Sequence, residues 1–577
     1  MWYNIAKISV ALVFIPLTPQ EIIIRRLFMN KTLKKIIMSA LLVIVGGGLN
    51  FYTTLPAINP RSTEFWSFLS FIIFLAVLPF VFVGKSKVIK KNDDGKGTYV
   101  NINFKSLNFI AVGLVVIPLI VILVGNLFSA TIFNAKRYAS LIDVETAAFE
   151  EDMPETNDVT NIALMDTSSA IIIGNRALGS LSEVVSQYQS SNIYSQINYG
   201  GAPKKVSSLE YADFFKWLGN RDNGVPGYIM VDPVYNTSEY KKLKTPIHYT
   251  ESGYFGDDLM RKLRLSYPTK IFGTHSFEID ENGDPYYIVS CLSPRIGLFG
   301  AYDVNEVIIF DPCDGSSEIY DVKDTPSWID IVYDGHLATK KYNWQGMLSG
   351  GYWNSVIGNV GCKKTTDDFG YIVRGDDVWY FTGVTSVAAD ESNIGFILSN
   401  ARTGEYKFYP VVGAEEYSAM NAAEGEVQEK GYIASFPSLI NVAGEATYIM
   451  VLKDSGGLVK LYALVNVEQY SIVATGETQA AVMASYKKLL RENGVSGSET
   501  VMGKEYNITV DEVRMVQING EPVIYILAGD WVFKGNLALD ESLVKIKVGD
   551  TICINGTETD IENIFNIEDW HYITIQY

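Results

Sequence analysis

Four histidines, several close pairs of carboxylates and one dense aromatic stretch are the residues whose types and spacing bear on chemistry in this chain. His248, His275, His336 and His571 are far apart in sequence. His275 is followed by Ser276, and His336 lies two residues after Asp334. A Ser-His-Asp triad needs no fixed sequence order. The chain has neither a GxSxG nucleophile elbow nor an HExxH pair, the local frames that such chemistry commonly uses. Solvent-facing or hydrogen-bonded histidines are the better reading. Asp280-Glu281-Asn282-Gly283-Asp284 alternates oxygen donors as a calcium loop does. Its glycine comes too early, and no glutamate follows at the bidentate position. Asn282-Gly283 as a hairpin turn explains the same residues. Asp321 with Asp324 and Asp367 with Asp368 are close carboxylate pairs, but 65 acidic residues make such pairs expected by chance. A glycosidase needs two carboxylates facing each other across a cleft. No catalytic residue, metal ligand or cofactor is assigned.

The aromatic stretch is more informative. It runs Tyr342-Asn343-Trp344-Gln345-Gly346 and then Gly350-Gly351-Tyr352-Trp353-Asn354. Rings with polar tips, set among glycines and amides, suit stacking on sugars or lining a peptide groove. Tyr342, Trp344, Tyr352 and Trp353 are therefore the candidate binding residues. Their competing role is core packing, where Trp and Tyr are largely buried.

The elements that position these residues begin in a membrane. Three uncharged apolar runs, 36–55, 65–83 and 106–130, each suffice to cross about 30 Å of hydrocarbon at about 1.5 Å per residue. Gly46, Gly47 and Gly48 weaken the first run as a helix but suit a close helix–helix contact. Met29-Asn30-Lys31 reads as a natural start, so residues 1–28 are expected to derive from an upstream start codon. Residues 1–135 hold 13 Lys/Arg and 4 Asp/Glu, a net of +9. The chain as a whole is −18, so the remainder carries −27. Basic residues flank the first run at Arg25, Arg26, Lys31, Lys34 and Lys35, and fill the second connection from Lys85 to Lys105. The first connection holds Arg61 alone. The positive-inside rule then places the N-terminus in the cytoplasm and everything after the third run outside. An acidic outer body does not bind nucleic acid by neutralising its backbone.

The expected divisions are a cytoplasmic N-terminus (1–35), three spans (36–130), an acidic helix-and-linker stretch (131–160), a body (161–500) and a small all-β, OB-like domain (501–577). Residues 161–577 are expected to fold without the spans. Helices are expected over 170–188, 209–218, 414–429 and 479–492. The body repeats a pair of alternating strands joined by a turn, as in Phe277-Glu278-Ile279 with Tyr286-Tyr287-Ile288 across Asn282-Gly283. The last segment has six expected strands, at 510–517, 523–527, 531–536, 543–548, 552–555 and 572–576, able to close a small barrel. Cys291 and Cys313 fall on neighbouring strands and are open to pairing or to remaining free, as are Cys362 and Cys553. No CxxC is present.

Helix-then-hairpin units ending in turns such as Asp311-Pro312-Cys313-Asp314-Gly315 and Arg402-Thr403-Gly404-Glu405 resemble PepSY-type modules of bacterial extracytoplasmic proteins. Glu415-Glu416-Tyr417-Ser418-Ala419-Met420, Phe436-Pro437-Ser438-Leu439 and Leu452-Lys453-Asp454 are similar to segments of uncharacterised Gram-positive membrane proteins. The resemblance implies contact with peptidases or other envelope partners. The expected fold is α+β: three transmembrane helices, a large β-rich body of repeated helix-plus-hairpin modules, and a small β-barrel-like domain. The expected function is a multi-pass, membrane-anchored extracytoplasmic binding or scaffold protein. Its partners would be the lipid bilayer and an envelope protein or cell-wall polymer. The alternative is an envelope hydrolase or modifying enzyme.

Overall fold

The structure is a computed structural model. It describes residues 31–82, 88–91, 97–100, 104–156, 159, 162–179, 181–366, 368–387, 389–495, 504–518, 521–537, 540–558 and 563–573. The expected upstream start lies outside these residues, as does the Asn519-Gly520 turn. The chain forms two compact units.

The first unit comprises residues 1–130 together with 260–271 and 293–302. Hydrocarbon offers no hydrogen-bond partners, so a spanning segment must satisfy its own backbone as a helix. Three helices have the length and apolar composition to span: Leu33–Thr54, Thr63–Val81 and Phe109–Ser129. The glycines of the first mark a close approach. A Cβ on Gly46 would lie 2.9 Å from Leu75 Cδ1, and one on Gly47 only 2.4 Å from Ile72 Cδ1. The Ser39 hydroxyl donates to the Ala76 carbonyl (2.6 Å) and that of Ser70 to Val115 (2.8 Å), tying the helices together.

One end of this bundle is clasped by the two later segments. Arg264, almost fully buried, donates to the Leu55 carbonyl at the C-terminal end of the first helix (2.9 Å) and to Lys270 (2.6 Å). A cation suits the negative end of a helix dipole. Ile58 N–H donates to Pro268, Arg61 to Pro294, and the Tyr302 hydroxyl to Arg61. Ser129, ending the third span, accepts from the backbone N–H groups of Leu298 and Phe299, both at 3.1 Å. The connection between the first two helices and the end of the third therefore share one end of the bundle. The hairpin Val88–Lys91 with Gly97–Val100 joins helices two and three at their other ends.

The second unit holds residues 131–259, 272–292 and 303–577. Strand alternation organises its layers. In strand Asp377–Ser386, Val378, Tyr380 and Val384 face one core with Ala338 and Tyr342 of helix Gly335–Leu348. Trp379 and Phe381 face the opposite core with helix Glu416–Glu426. Strand Glu445–Lys453 repeats the device. Tyr448, Met450 and Leu452 enter that shared core, while Ile449 and Val451 pack under helix Gln479–Glu492. The expected hairpins form, but they are distributed among separate sheets: Ile271–Ile279 with Pro285–Ile296, Ala389–Asn400 with Tyr406–Tyr409, and Glu445–Lys453 with Val459–Asn466.

Several expectations need correction. The acidic stretch 131–160 is not a linker. Phe149 and Met153 enter the core, Glu145–Thr146 pairs in parallel with Tyr406–Tyr409, and Asp152 binds Arg374 (2.8 Å), Lys407 and the Tyr409 hydroxyl. A fold cut at 161 would lose all of these, so the body begins at Thr131. The segment expected as helix over 209–218 starts instead as the end of strand Ala202–Tyr211. Its helix, Phe214–Asn220, begins only where Asp213 caps the N–H groups of Phe215 and Lys216. The helix expected over 170–188 is two pieces, Thr167–Gly179 and Ser182–Val185. Residues 543–548 are not a strand; a 3-10 turn, Glu541–Lys545, is capped there by Asp540. The last sheet has six strands, but its edge strands, Lys504–Thr509 and Glu512–Ile518, do not pair with each other, so it is a half-barrel rather than a closed one. All four cysteines are free thiols, including Cys291 and Cys313.

Candidate functional site

Helix Gly335–Leu348 carries the aromatic stretch. Asp334 caps it, its carboxylate accepting from Leu337 N–H (3.0 Å). One face is core: Tyr342 is 2 % exposed, and burial pushes its hydroxyl pKa up. Another face, with Lys340, Asn343, Trp344 and Met347 at helical i, i+3, i+4, i+7 spacing, forms the floor of an open groove of about 360 Å³. The opposite walls are Thr131, Tyr352 and Ser355. The Trp344 ring meets Tyr138 edge-on at 4.9 Å, and Lys340 Nζ lies 5.4 Å from the Trp344 ring centroid. Asn343 is held by Thr365, accepting from its N–H (2.7 Å) and donating to its hydroxyl (3.0 Å).

Of the four candidates, the structure brings Trp344 and Tyr352 to one groove. Trp353 is 65 % exposed beside it, in edge contact with Tyr352, and Tyr342 belongs to the core. The sequence reading missed Thr131, Lys340 and Ser355. The local signal for Lys340 is its position one turn before Trp344. Nothing local marks Thr131, which lies some two hundred residues upstream.

A groove of this kind can take a ligand with a flat apolar or sugar face on Trp344 and Tyr352 and an anionic group near Lys340.

The titratable groups with displaced pKa values lie elsewhere and are sealed. Glu278 is 1 % exposed. Its Oε1 accepts from the Ser276 hydroxyl (2.6 Å) and Ile331 N–H (3.2 Å), and its Oε2 from Asp330 N–H (2.8 Å). Asp330, also buried, accepts from Asn198 N–H (2.8 Å). Burial pushes both carboxyls up, and the Glu278 charge adds to the rise at Asp330. Glu416 is pushed up to about 7 by burial, and accepts from Gly383 N–H (2.5 Å). Lys205 is pushed down to about 8, again by burial. These groups act as internal struts for the backbone. They do not face a cleft as paired hydrolytic carboxylates must.

The histidines also assemble no nucleophile. His275 pairs through Nε2 with Glu251, while the Ser276 hydroxyl is committed to Glu278. His336 stacks edge-on against Phe369. Asp321 and Asp324 are exposed, and Asp367 lies outside the described residues. The Asp280 carboxylate accepts from the N–H groups of Asn282 and Asp284, so it serves the hairpin turn. Among the described residues no group of three or more His, Cys, Asp or Glu side chains is placed to hold a metal.

No protein-family model and no curated protein sequence matches the chain.

Proposed function

We propose that this protein is a membrane-anchored, extracytoplasmic binding protein that holds an envelope protein or cell-wall polymer close to the membrane, without catalysing a reaction on it. The observation that carries this reading is the position of the groove. Its Thr131 wall follows Ser129, the last residue of the third span, by two residues, and its floor presents Trp344 and Lys340. The orientation, N-terminus in and body out, rests on the Lys/Arg asymmetry. It is supported by the clasped end of the helix bundle, where the connection with a single Arg lies, opposite the lysine-rich connection. The PepSY-like character of the hairpins and a bacterial envelope setting belong to the same proposal, supported by the turns at Asp311–Gly315 and Arg402–Glu405.

The test uses the full-length protein in nanodiscs, incubated with envelope fractions. Trp344→Ala and Lys340→Ala should each weaken retention, the Trp variant by about tenfold or more. Native-like circular dichroism must accompany the loss. A folded Trp344→Ala protein that retains envelope material as the parent does would overturn the reading.

A further inference from the structure

We propose that the loop 353–360 is a second, peripheral membrane anchor, seated in the headgroup–acyl boundary of the leaflet from which the third span emerges. Within eight residues it exposes Trp353, Val356 (55 %), Ile357 (76 %) and Val360 (79 %). Single exposed apolar side chains are ordinary, but a contiguous cluster marks a contact surface. The loop is built to hold them outward. Asn354 bridges it, donating to the Val360 carbonyl (2.9 Å) and accepting from Val360 N–H (3.1 Å). The Ser355 hydroxyl donates to Tyr352 (2.8 Å), and Asn359 takes the left-handed conformation that ends the turn.

Two observations name the bilayer as the occupant, given that the three apolar helices span it. The first is reach. Thr131 shares a groove with Tyr352 and Ser355, and it is two residues past the end of the span. A chain covers at most about 3.6 Å per residue, so Thr131 lies within about 7 Å of that end. The polar layer on each side of a bilayer is of similar depth, about 5–8 Å. A loop beside Thr131 is therefore at the interface, where Trp and Tyr concentrate. Ile132 and Phe133, exposed on the helix Thr131–Ala139, extend the same surface.

The second is charge. Residues 335–366 contain Lys340, Lys341, Lys363 and Lys364 and no acid, and residues 131–142 contain Lys136 and Arg137 and no acid. Lys341 is buried against Asp303 (2.8 Å); the others are at least partly exposed. Two acid-free basic segments in a body of net −27 form a patch complementary to anionic headgroups. The exposed apolar residues are not walls of the groove, so this surface and ligand binding in the groove can fail separately.

The experiment uses the full chain in liposomes containing anionic lipid. Cys313→Ser removes the one thiol that is not buried. An environment-sensitive fluorophore is then placed at Ile357→Cys or, as control, at Glu429→Cys. The control follows helix Glu416–Glu426, on the opposite face of the sheet from the groove helix. Nitroxides on lipid acyl chains should quench the 357 probe about threefold or more above the control, with aqueous iodide quenching reduced in proportion. Equal access of iodide to both probes would place the loop in water and overturn the proposal. A 357 probe shielded from both quenchers would overturn it too, because a protein surface, not lipid, would then cover the loop.

Discussion

The groove over Trp344 and the cluster around Glu278 are two places where the fold gathers polar chemistry, and they are opposites. At the groove, the rings and Lys340 stand open to solvent, and one side begins where a membrane helix ends. At the cluster, burial displaces the acids strongly, yet the carboxyl oxygens meet backbone N–H groups and a serine hydroxyl. A displaced pKa is a functional signal only where a substrate can reach the group. Here it reports a sealed scaffold, and recognition is assigned to ordinary side chains in an open place.

That contrast breaks most sharply at Glu278. Glu278→Ala leaves Asp330 N–H, Ile331 N–H and the Ser276 hydroxyl without their acceptor, at about 3–5 kcal/mol in total. Thermal or denaturant unfolding of the full chain in detergent should show that loss, while any folded fraction still binds envelope material. A variant of unchanged stability that no longer binds would make the cluster the functional site.

Next in size is a pH effect. Buried carboxyls raised above their ordinary range hold protons in the folded state that the unfolded chain has already released. The stability they contribute is greatest on the acid side and falls as pH rises from about 4 towards neutrality. Glu416, raised to about 7, contributes roughly 3 kcal/mol of that fall at most. Glu416→Gln should flatten the slope of unfolding temperature between pH 5 and 8. Asp152, held below the usual carboxylate range chiefly by Arg374, has the opposite sign. Its contribution is present at neutral pH and is lost only in acid, so Asp152→Asn should cost stability at pH 7 and little in strong acid.

Smaller again is Trp344→Ala, expected to weaken envelope binding by about 1.4 kcal/mol or more, measured as retention by the nanodisc protein. The smallest change is Trp353→Ala. With its ring 65 % exposed, unfolding stability should stay within about 0.5 kcal/mol of the parent. A larger loss would mean that Trp353 is covered by protein.

Much of the architecture was legible in the sequence. The three spans follow from apolar length, helix Gln479–Glu492 from its periodicity, and the hairpin at Gly283 from an Asn-Gly pair whose glycine takes φ +83. The half-barrel was read as closed because strand propensity says nothing about whether edge strands meet. The stretch 131–160 was read as a linker because Glu150, Glu151 and Asp152 are acidic. Their neighbours Phe149 and Met153 are core residues, and Asp152 finds its cations at Arg374 and Lys407, more than two hundred residues away.

The sequence by itself determined which segments suit lipid, which alternate as strands and which short turns reverse the chain, because those depend on neighbours a few residues apart. Tertiary structure alone decided that Tyr342 is core while Trp344 lines a groove, since two residues along a helix turn a side chain by about 200°. It alone set Thr131 across from Tyr352 and buried Glu278 beside Asp330. Such meetings depend on how distant layers stack, and pairing across the sheets carries that information through contacts that no local pattern encodes.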